Sequence, residues 1–339
     1  MSHSTRTLQQ ERLISIVKRF PDRRVLVIGD AIADQFIYGA ISRVSREAPV
    51  FILSHEQTET VPGGAANCAM NLVSLGAQVS LIAAVGEDAA GRALIEKLEA
   101  AGVDCDGVLA VPQLQTTTKV RILAGQLHST RQQVIRIDYD GNVTPKQDLQ
   151  KQLIDKIVAR GPHSDAVIIS DYNYGVADKK ISNAVQAVAS NKTIPVLIDS
   201  RFRLSDFPAF TSATPNADEV EQLLGRPLEN DSDLEAAAEE MRNRLSYRAL
   251  LVTRGSHGMV LFEDGVAPLY IPAVGASEPV DVTGAGDSVI ATYTLAIASD
   301  ASFPAAARLA NYAGGLVVMK RNTASVSAKE LEHSILHSE

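Results

Sequence analysis

From about residue 145 onward, short β-branched apolar runs alternate with helical stretches, and no other feature constrains the fold as much. Runs 165–170, 195–199 and 248–253 read as buried strands, with helices near 145–159, 178–190, 217–224 and 232–245 between them. Parallel strands need a long crossover, and a helix is the usual one. The alternation therefore predicts βαβ units, a largely parallel sheet and helices on both of its faces. The N-terminal part follows the same grammar. A helical period over 8–20 leads to a strand at 24–29, and a glycine turn opens a helix over 63–75. A strand at 79–85 and a helix at 91–101 come next. A hairpin-like stretch at 258–271 and an alanine-rich helix near 303–319 complete the pattern.

Two segments, 36–56 and 116–140, break it. Within the second, Gln133, Ile135, Ile137 and Tyr139 alternate with Val134, Arg136, Asp138 and Asp140. A period of two marks a strand with one polar face. The two segments together predict a small, half-exposed sheet that projects from the main body as a lid. Residues 1–339 are expected to form one α/β domain carrying that lid.

Composition narrows the ligand. A net charge of −8 argues against nucleic-acid binding, so an anionic ligand needs a local basic cluster. Arg43, Lys119, Arg121 and Arg136 are the candidates, and a solvated strand face is the alternative for each. Two cysteines, Cys68 and Cys105, fit a reducing compartment rather than a disulfide framework. The seven histidines are scattered, which predicts no zinc site held by protein ligands. No apolar run approaches the length of a membrane span and residues 1–24 carry no apolar core, so a cytoplasmic protein without a membrane partner is expected.

The chemistry concentrates at Asp281-Val-Thr-Gly-Ala-Gly-Asp287, which runs straight into the helical stretch 288–298. Gly284 and Gly286 let the backbone turn tightly and let an anion come close. The first amides of the helix lack helical acceptors and lie at the positive end of its dipole. That combination makes an anion cradle. Asp287 falls in the first helical turn, placed either to take a proton from an attacking hydroxyl or simply to complement the dipole. A second glycine turn, Gly63-Gly64, opens a helix bearing Asn67, which can donate to and accept from a sugar hydroxyl. Asp30 and Asp34 follow the first strand, at the end of a parallel sheet where ligands bind. Asn216 and Glu219 are spaced as a helix cap and its reciprocal partner. A dinucleotide frame fails because Val289 stands where it needs glycine, and no P-loop motif is present.

The segment 281–287 matches the pattern D-T-x-G-A-G-D, with Val282 in place of the first Thr, and resembles the ribokinase/phosphofructokinase-B family of sugar kinases. The resemblance extends over about 24–330. It implies a ribokinase-like three-layer α/β/α sandwich with a small β-sheet lid, ATP as phosphoryl donor and Mg²⁺. It implies that Asp287 takes the proton beside the amides of Gly284, Ala285 and Gly286. Asp34, assisted by Asp30, would hold the sugar with Gly63, Gly64 and Asn67. Asn216 and Glu219 would organise Mg²⁺ through water. Thr253, Arg254, Gly255 and Gly258 resemble the nucleotide loop, with Asn311 and Gly314 near the adenine. A monovalent cation near Asp281 and Thr283 is a further implication.

Arg43-Val-Ser-Arg-Glu-Ala-Pro49, Gln133-Val-Ile-Arg-Ile-Asp138 and Thr214-Pro-Asn-Ala-Asp-Glu219 sharpen the resemblance to the kinases that phosphorylate D-glycero-D-manno-heptose 7-phosphate at O1. Three positions depart from that pattern. Tyr174 stands where Lys is usual, Ser200-Arg201 where Pro-Lys is expected, and Asn322 where Gly is usual. Another carbohydrate acceptor, or a non-catalytic sugar-binding regulator, are the alternatives. The lid's exposed face and edges predict a homodimer.

Overall fold

The computed structural model describes residues 3–125, 131–141, 147–275, 279–321 and 323–337. Asn322 therefore lies outside the described residues. Strands β1 (Arg24–Gly29), β2 (Ala31–Val44), β3 (Phe51–Gly64), β4 (Gln78–Gly86), β5 (Asp104–Val111), β6 (Thr118–Gly125) and β7 (Gln132–Tyr139) come from the N-terminal part. They are joined by helices α1 (His3–Val17), α2 (Ala65–Ser74) and α3 (Ala89–Ala100). Next come α4 (Gln147–Arg160), β8 (Ala166–Asp171), α5 (Lys179–Lys192), β9 (Val196–Ser200), β10 (Ser212–Ala213), α6 (Ala217–Leu224) and α7 (Asp231–Leu245). The chain continues through β11 (Ala249–Thr253), β12 (Met259–Glu263), β13 (Leu269–Ile271), α8 (Ala285–Ala298), α9 (Phe303–Val317) and α10 (Ala328–His337).

Nine strands form the central sheet in the order β13-β12-β11-β10-β9-β8-β1-β4-β5. It is parallel from β5 to β11, and β12 and β13 add an antiparallel edge. Strand side chains point alternately to opposite faces. In β1, Val25 and Val27 join the core under α1, α2, α8 and α9, while Leu26 and Ile28 join the core under α4, α5 and α7. Both faces are thus covered, which is why the strands read as continuous apolar runs.

The second sheet has the order β3-β2-β6-β7. Strand β2 leaves β1 after a single residue, Asp30, and β3 runs directly into α2. The lid is therefore hinged on the carboxyl end of β1. Strand β2 begins at Ala31 and β3 ends at Gly64, so the pair reaches beyond the expected segment 36–56 at both ends. The backbone pairs down to Ala31 with Gly64, through an Asp and glycines that carry no strand pattern. Sequence periodicity also gave no warning of β5, β10 and α10. Strand β5 opens on Asp104 and Asp106, β10 is two residues long, and α10 buries only Leu331 and Ile335.

Candidate active site

The carboxyl ends of β1, β8, β9 and β11 meet the base of the lid around a cavity of about 410 Å³. Asp287 stands in its wall, in the first turn of α8. Gly284 caps that helix at φ +78, in the left-handed region where glycine is favoured. The Ala285 N–H is already bonded to Val282 O, whereas the Gly286 and Asp287 N–H groups have no acceptor among the described residues. A Cβ built on Gly286 would meet nothing within 4 Å, so that backbone faces open space. Two of the three amides at this helix start are thus without an acceptor among the described residues.

Asp287 is 3% exposed, yet both of its oxygens are bonded. Asn67 donates to Oδ2 at 2.6 Å and the Tyr172 hydroxyl to Oδ1 at 2.9 Å. Behind Asn67, Asn71 donates to Asn67 Oδ1, and Ser288 Oγ donates to Asn71 Oδ1. A Cβ on Gly284 would come within 2.6 Å of Asn67 Nδ2, so that glycine also makes room for the network. Burial pushes the Asp287 carboxyl up to about 6, while the Asn67 and Tyr172 donors pull it back. A carboxylate with that affinity can accept a proton near neutral pH.

Asp34 and Phe36 of β2, Lys119 and Arg121 of β6, and Arg136 and Asp138 of β7 share one lid face, by register and alternation. That face borders the cavity. Arg121 Nη1 lies 2.5 Å from Asp34 Oδ1, and Arg136 is bound through two nitrogens by Asp138. Lys119 has no ion pair among the described residues. Its ammonium sits near the Tyr172 and Tyr174 rings, and burial lowers its pKa. Tyr174, at one of the departures from the resembled pattern, thus lies beside that lysine without lining the cavity. Arg201 also lines the cavity. A Cβ on Gly63 would meet Asp34 Oδ2 at 2.4 Å, so Gly63 keeps Asp34 clear.

Three expected residues lie elsewhere. Asp30 is buried and accepts from the backbone N–H groups of Tyr172, Tyr174 and Val176. It fixes the loop after β8 and does not border the cavity, because its lone pairs are spent on that loop. Arg43 sits exposed at the far end of β2, remote from the base of the lid. Arg254 turns away to pair with Asp231 and to lie over the Tyr270 ring.

A second cavity, about 210 Å³, adjoins the first across Thr253, Val282 and Gly286. Gly255, Gly258, Asn311 and Gly314 line it with mostly apolar neighbours. The carboxamide of Asn311 donates to Pro272 O, which fixes its orientation. Gly314 borders the cavity, but Gly315 has another reason to be glycine: a Cβ there would meet Val274 O at 2.0 Å. The glycines in α9 thus admit a neighbouring backbone as well as bordering the cavity.

Asn216 and Glu219 form the reciprocal cap at the start of α6, and both also line the larger cavity. Glu219 is joined there by Asp199, from the carboxyl end of β9. Burial raises both carboxyl groups, and the Glu219 charge pushes Asp199 further. A cation beside them would relieve that. No set of three metal-ligating side chains converges among the described residues, so a cation here would keep mostly water and phosphate oxygens, as Mg²⁺ prefers. Asp199 and Tyr172 had no role assigned from sequence. Their position at the carboxyl ends of β9 and β8 was the available signal, the same one that selected Asp30 and Asp34.

Among the described residues no helix is long and apolar enough to cross a membrane. A model described as pfkB family carbohydrate kinase matches residues 22–330. Relatives named bifunctional protein HldE are 41% identical over 322 residues in Edwardsiella ictaluri and 37% over 315 in Gluconobacter oxydans. These alignments cover 93% and 92% of this chain but 64% of each relative, so the chain spans less than two-thirds of their length. Among solved structures, phosphofructokinase-2 of Escherichia coli in complex with potassium aligns with a TM-score of 0.75 at 20% identity, over 93% of this chain and 98% of that one. Arabidopsis thaliana ribokinase complexed with ribose and ATP gives 0.71 at 22%, over 92% and 98%. At that identity the likeness is one of fold, and it is the ribokinase-like fold expected from the sequence.

Proposed function

The chain belongs to the pfkB family of carbohydrate kinases, and on that premise we propose that it transfers the γ-phosphoryl group of ATP to O1 of D-glycero-D-manno-heptose 7-phosphate. The observation that carries the acceptor class is the cationic wall. Lys119, Arg121, Arg136 and Arg201 border one cavity with Asp287, in a protein of net charge −8. Such a wall suits an acceptor that already bears a phosphate. The heptose itself rests on the motif resemblance and on the HldE relatives. Its product would feed ADP-heptose synthesis for lipopolysaccharide, in the cytoplasm.

In this reading Asp287 takes the proton from the acceptor hydroxyl as its oxygen bonds to the γ-phosphorus of ATP, the bond to the bridging oxygen breaks, and ADP leaves. Asn67 and Tyr172 orient that carboxylate. The free amides of Gly286 and Asp287, with the helix dipole, stabilise charge on the transferring group. The apolar cavity lined by Asn311 and Gly314 would hold the base of ATP, and the larger cavity its phosphates. Glu219 and Asp199 would hold Mg²⁺ through water, and the ion would supply charge to offset that of the phosphates. Lid closure excludes water from the reacting groups.

The test is ADP release with Mg-ATP across a panel of acceptors: the heptose 7-phosphate, sedoheptulose 7-phosphate, fructose 6-phosphate, ribose, fructose and adenosine. The heptose phosphate is expected to give the highest kcat/KM. Turnover confined to an unphosphorylated sugar would move the acceptor and leave the phosphotransfer intact. No turnover on any of them would favour the non-catalytic regulator.

We also propose a homodimer through the lid. Val134, Ile135, Ile137 and Tyr139 of β7 and Phe51 of β3 are exposed, with Ile135 at 51% and Phe51 at 58%. These apolar residues on outer strands leave both an apolar surface and open sheet edges to cover. Sedimentation equilibrium should give twice the chain mass, and Ile135→Asp should return it to one; a wild-type monomer at micromolar concentration would overturn this.

A further inference from the structure

Asp34 reaches the cavity already engaged. Arg121 holds its Oδ1 at 2.5 Å, and the two side chains are only 13% and 7% exposed. Thr323 Oγ1 stands 3.5 Å from Oδ2. While the pair holds, one carboxylate oxygen is closed to a sugar hydroxyl. A neutral hydroxyl is a poor competitor for a guanidinium in a half-closed site, because charge-assisted bonds are the stronger class. A phosphate is a good competitor for the other partner. It offers the guanidinium a replacement anion and so releases the carboxylate.

The surroundings supply what such an exchange needs. Lys119 lies two residues from Arg121 on the same lid face and has no ion pair among the described residues. Arg201 borders the same cavity and makes no ion pair among the described residues, although its charge acts on Asp199 and Glu219. Arg136, cross-strand from Arg121, is held by Asp138 and is less available. The Arg121 guanidinium also rests over the Phe36 ring, 5.4 Å from its centroid, a support on which it can swing while staying partly stacked.

We propose that the Arg121–Asp34 ion pair is a specificity latch, opened by the phosphate of the acceptor and left shut by sugars that lack one. The inference rests on the proposed phosphorylated acceptor and deepens it. Arg121 then does more than attract the phosphate: it makes sugar recognition by Asp34 conditional on the phosphate being there.

The test compares one sugar with and without its phosphate, D-glycero-D-manno-heptose 7-phosphate against the free heptose, in the wild-type protein and in Arg121→Ala and Arg121→Lys. In Arg121→Ala, kcat/KM for the phosphorylated sugar should fall by about 10- to 100-fold, the loss of a charge-assisted contact. For the free heptose it should rise by about 3- to 10-fold, because Asp34 no longer has to be released. Arg121→Lys keeps the charge and should lie between. Melting curves check that each variant is folded, and the Lys variant carries the test if the Ala variant is not. An equal fall on both sugars means that the pair only supports the lid and overturns the latch. Unchanged discrimination overturns it as well, with the kinase reading intact. A wild-type protein that turns over no phosphorylated sugar overturns the acceptor reading and the latch together.

Discussion

Replacing Asp287 with Asn should lower kcat by about 10²- to 10⁴-fold on whichever acceptor the wild-type protein uses, the usual contribution of a general base. KM for the acceptor should change little, since Asp34 and the lid cations remain. The shape of the side chain is conserved, and the new carboxamide can still accept from Asn67 and donate to the Tyr172 oxygen. The pH profile gives a second readout. With the carboxyl held up to about 6, kcat/KM should rise with pH through that value and then level off. Tyr172→Phe removes a hydrogen bond that favours the ionised form, so its acid limb should move to higher pH. Stability should respond with the opposite sign. The folded pKa lies above the unfolded value, so burying the ionised form costs stability that grows as pH rises from about 4 through 6. Asp287→Asn carries no such charge and should melt no lower than wild type at pH 8. A variant with turnover within ten-fold of wild type would remove Asp287 from the chemistry and leave the proton to another group.

The residues legible in sequence were those whose role depends on local geometry. Gly284 and Asp287 are three apart at a helix start, and Asn216 and Glu219 are spaced as a cap. The alternation of Arg136 and Asp138 with Ile135 and Ile137 marked a strand with two unlike faces, and the structure turns the polar face to the cavity. What could not be read was pairing across the chain. Tyr172 reaches Asp287 over 115 residues, and Arg121 reaches Asp34 over 87. No periodicity encodes such a contact. Asp30 shows the converse error. A carboxylate at the end of a parallel strand suggested a ligand, yet three backbone N–H groups of the next crossover loop take up its oxygens. Position near a sheet's carboxyl end narrows the candidates, and only the hydrogen-bond partners separate loop anchors from groups left facing the ligand.

Arg203→Ala should be the costliest single change away from the reacting groups, at about 3 kcal/mol of stability, the low end for breaking a buried ion pair. Arg203 Nη2 bonds to Asp171 Oδ1 and also donates to Ala177 O at 2.7 Å. The Asp171 side chain is 0% exposed, so truncating its partner leaves a buried carboxylate without its counter-ion. Ser200 Oγ and the Asn173 N–H still donate to it, which keeps the loss from being larger. Ser200 is one of the positions that departs from the resembled pattern, and here it serves this carboxylate. The effect should extend to turnover. Asp171 anchors the loop that carries Tyr172, and Tyr172 orients Asp287, so kcat should fall along with the melting temperature. Adding Asp171→Asn should recover part of the lost stability, because the stranded group is then neutral. If Arg203→Ala melts within about a degree of wild type, the pair is not buried in solution. If the second substitution recovers nothing, the loss comes from packing of the arginine stem rather than from an unpaired charge.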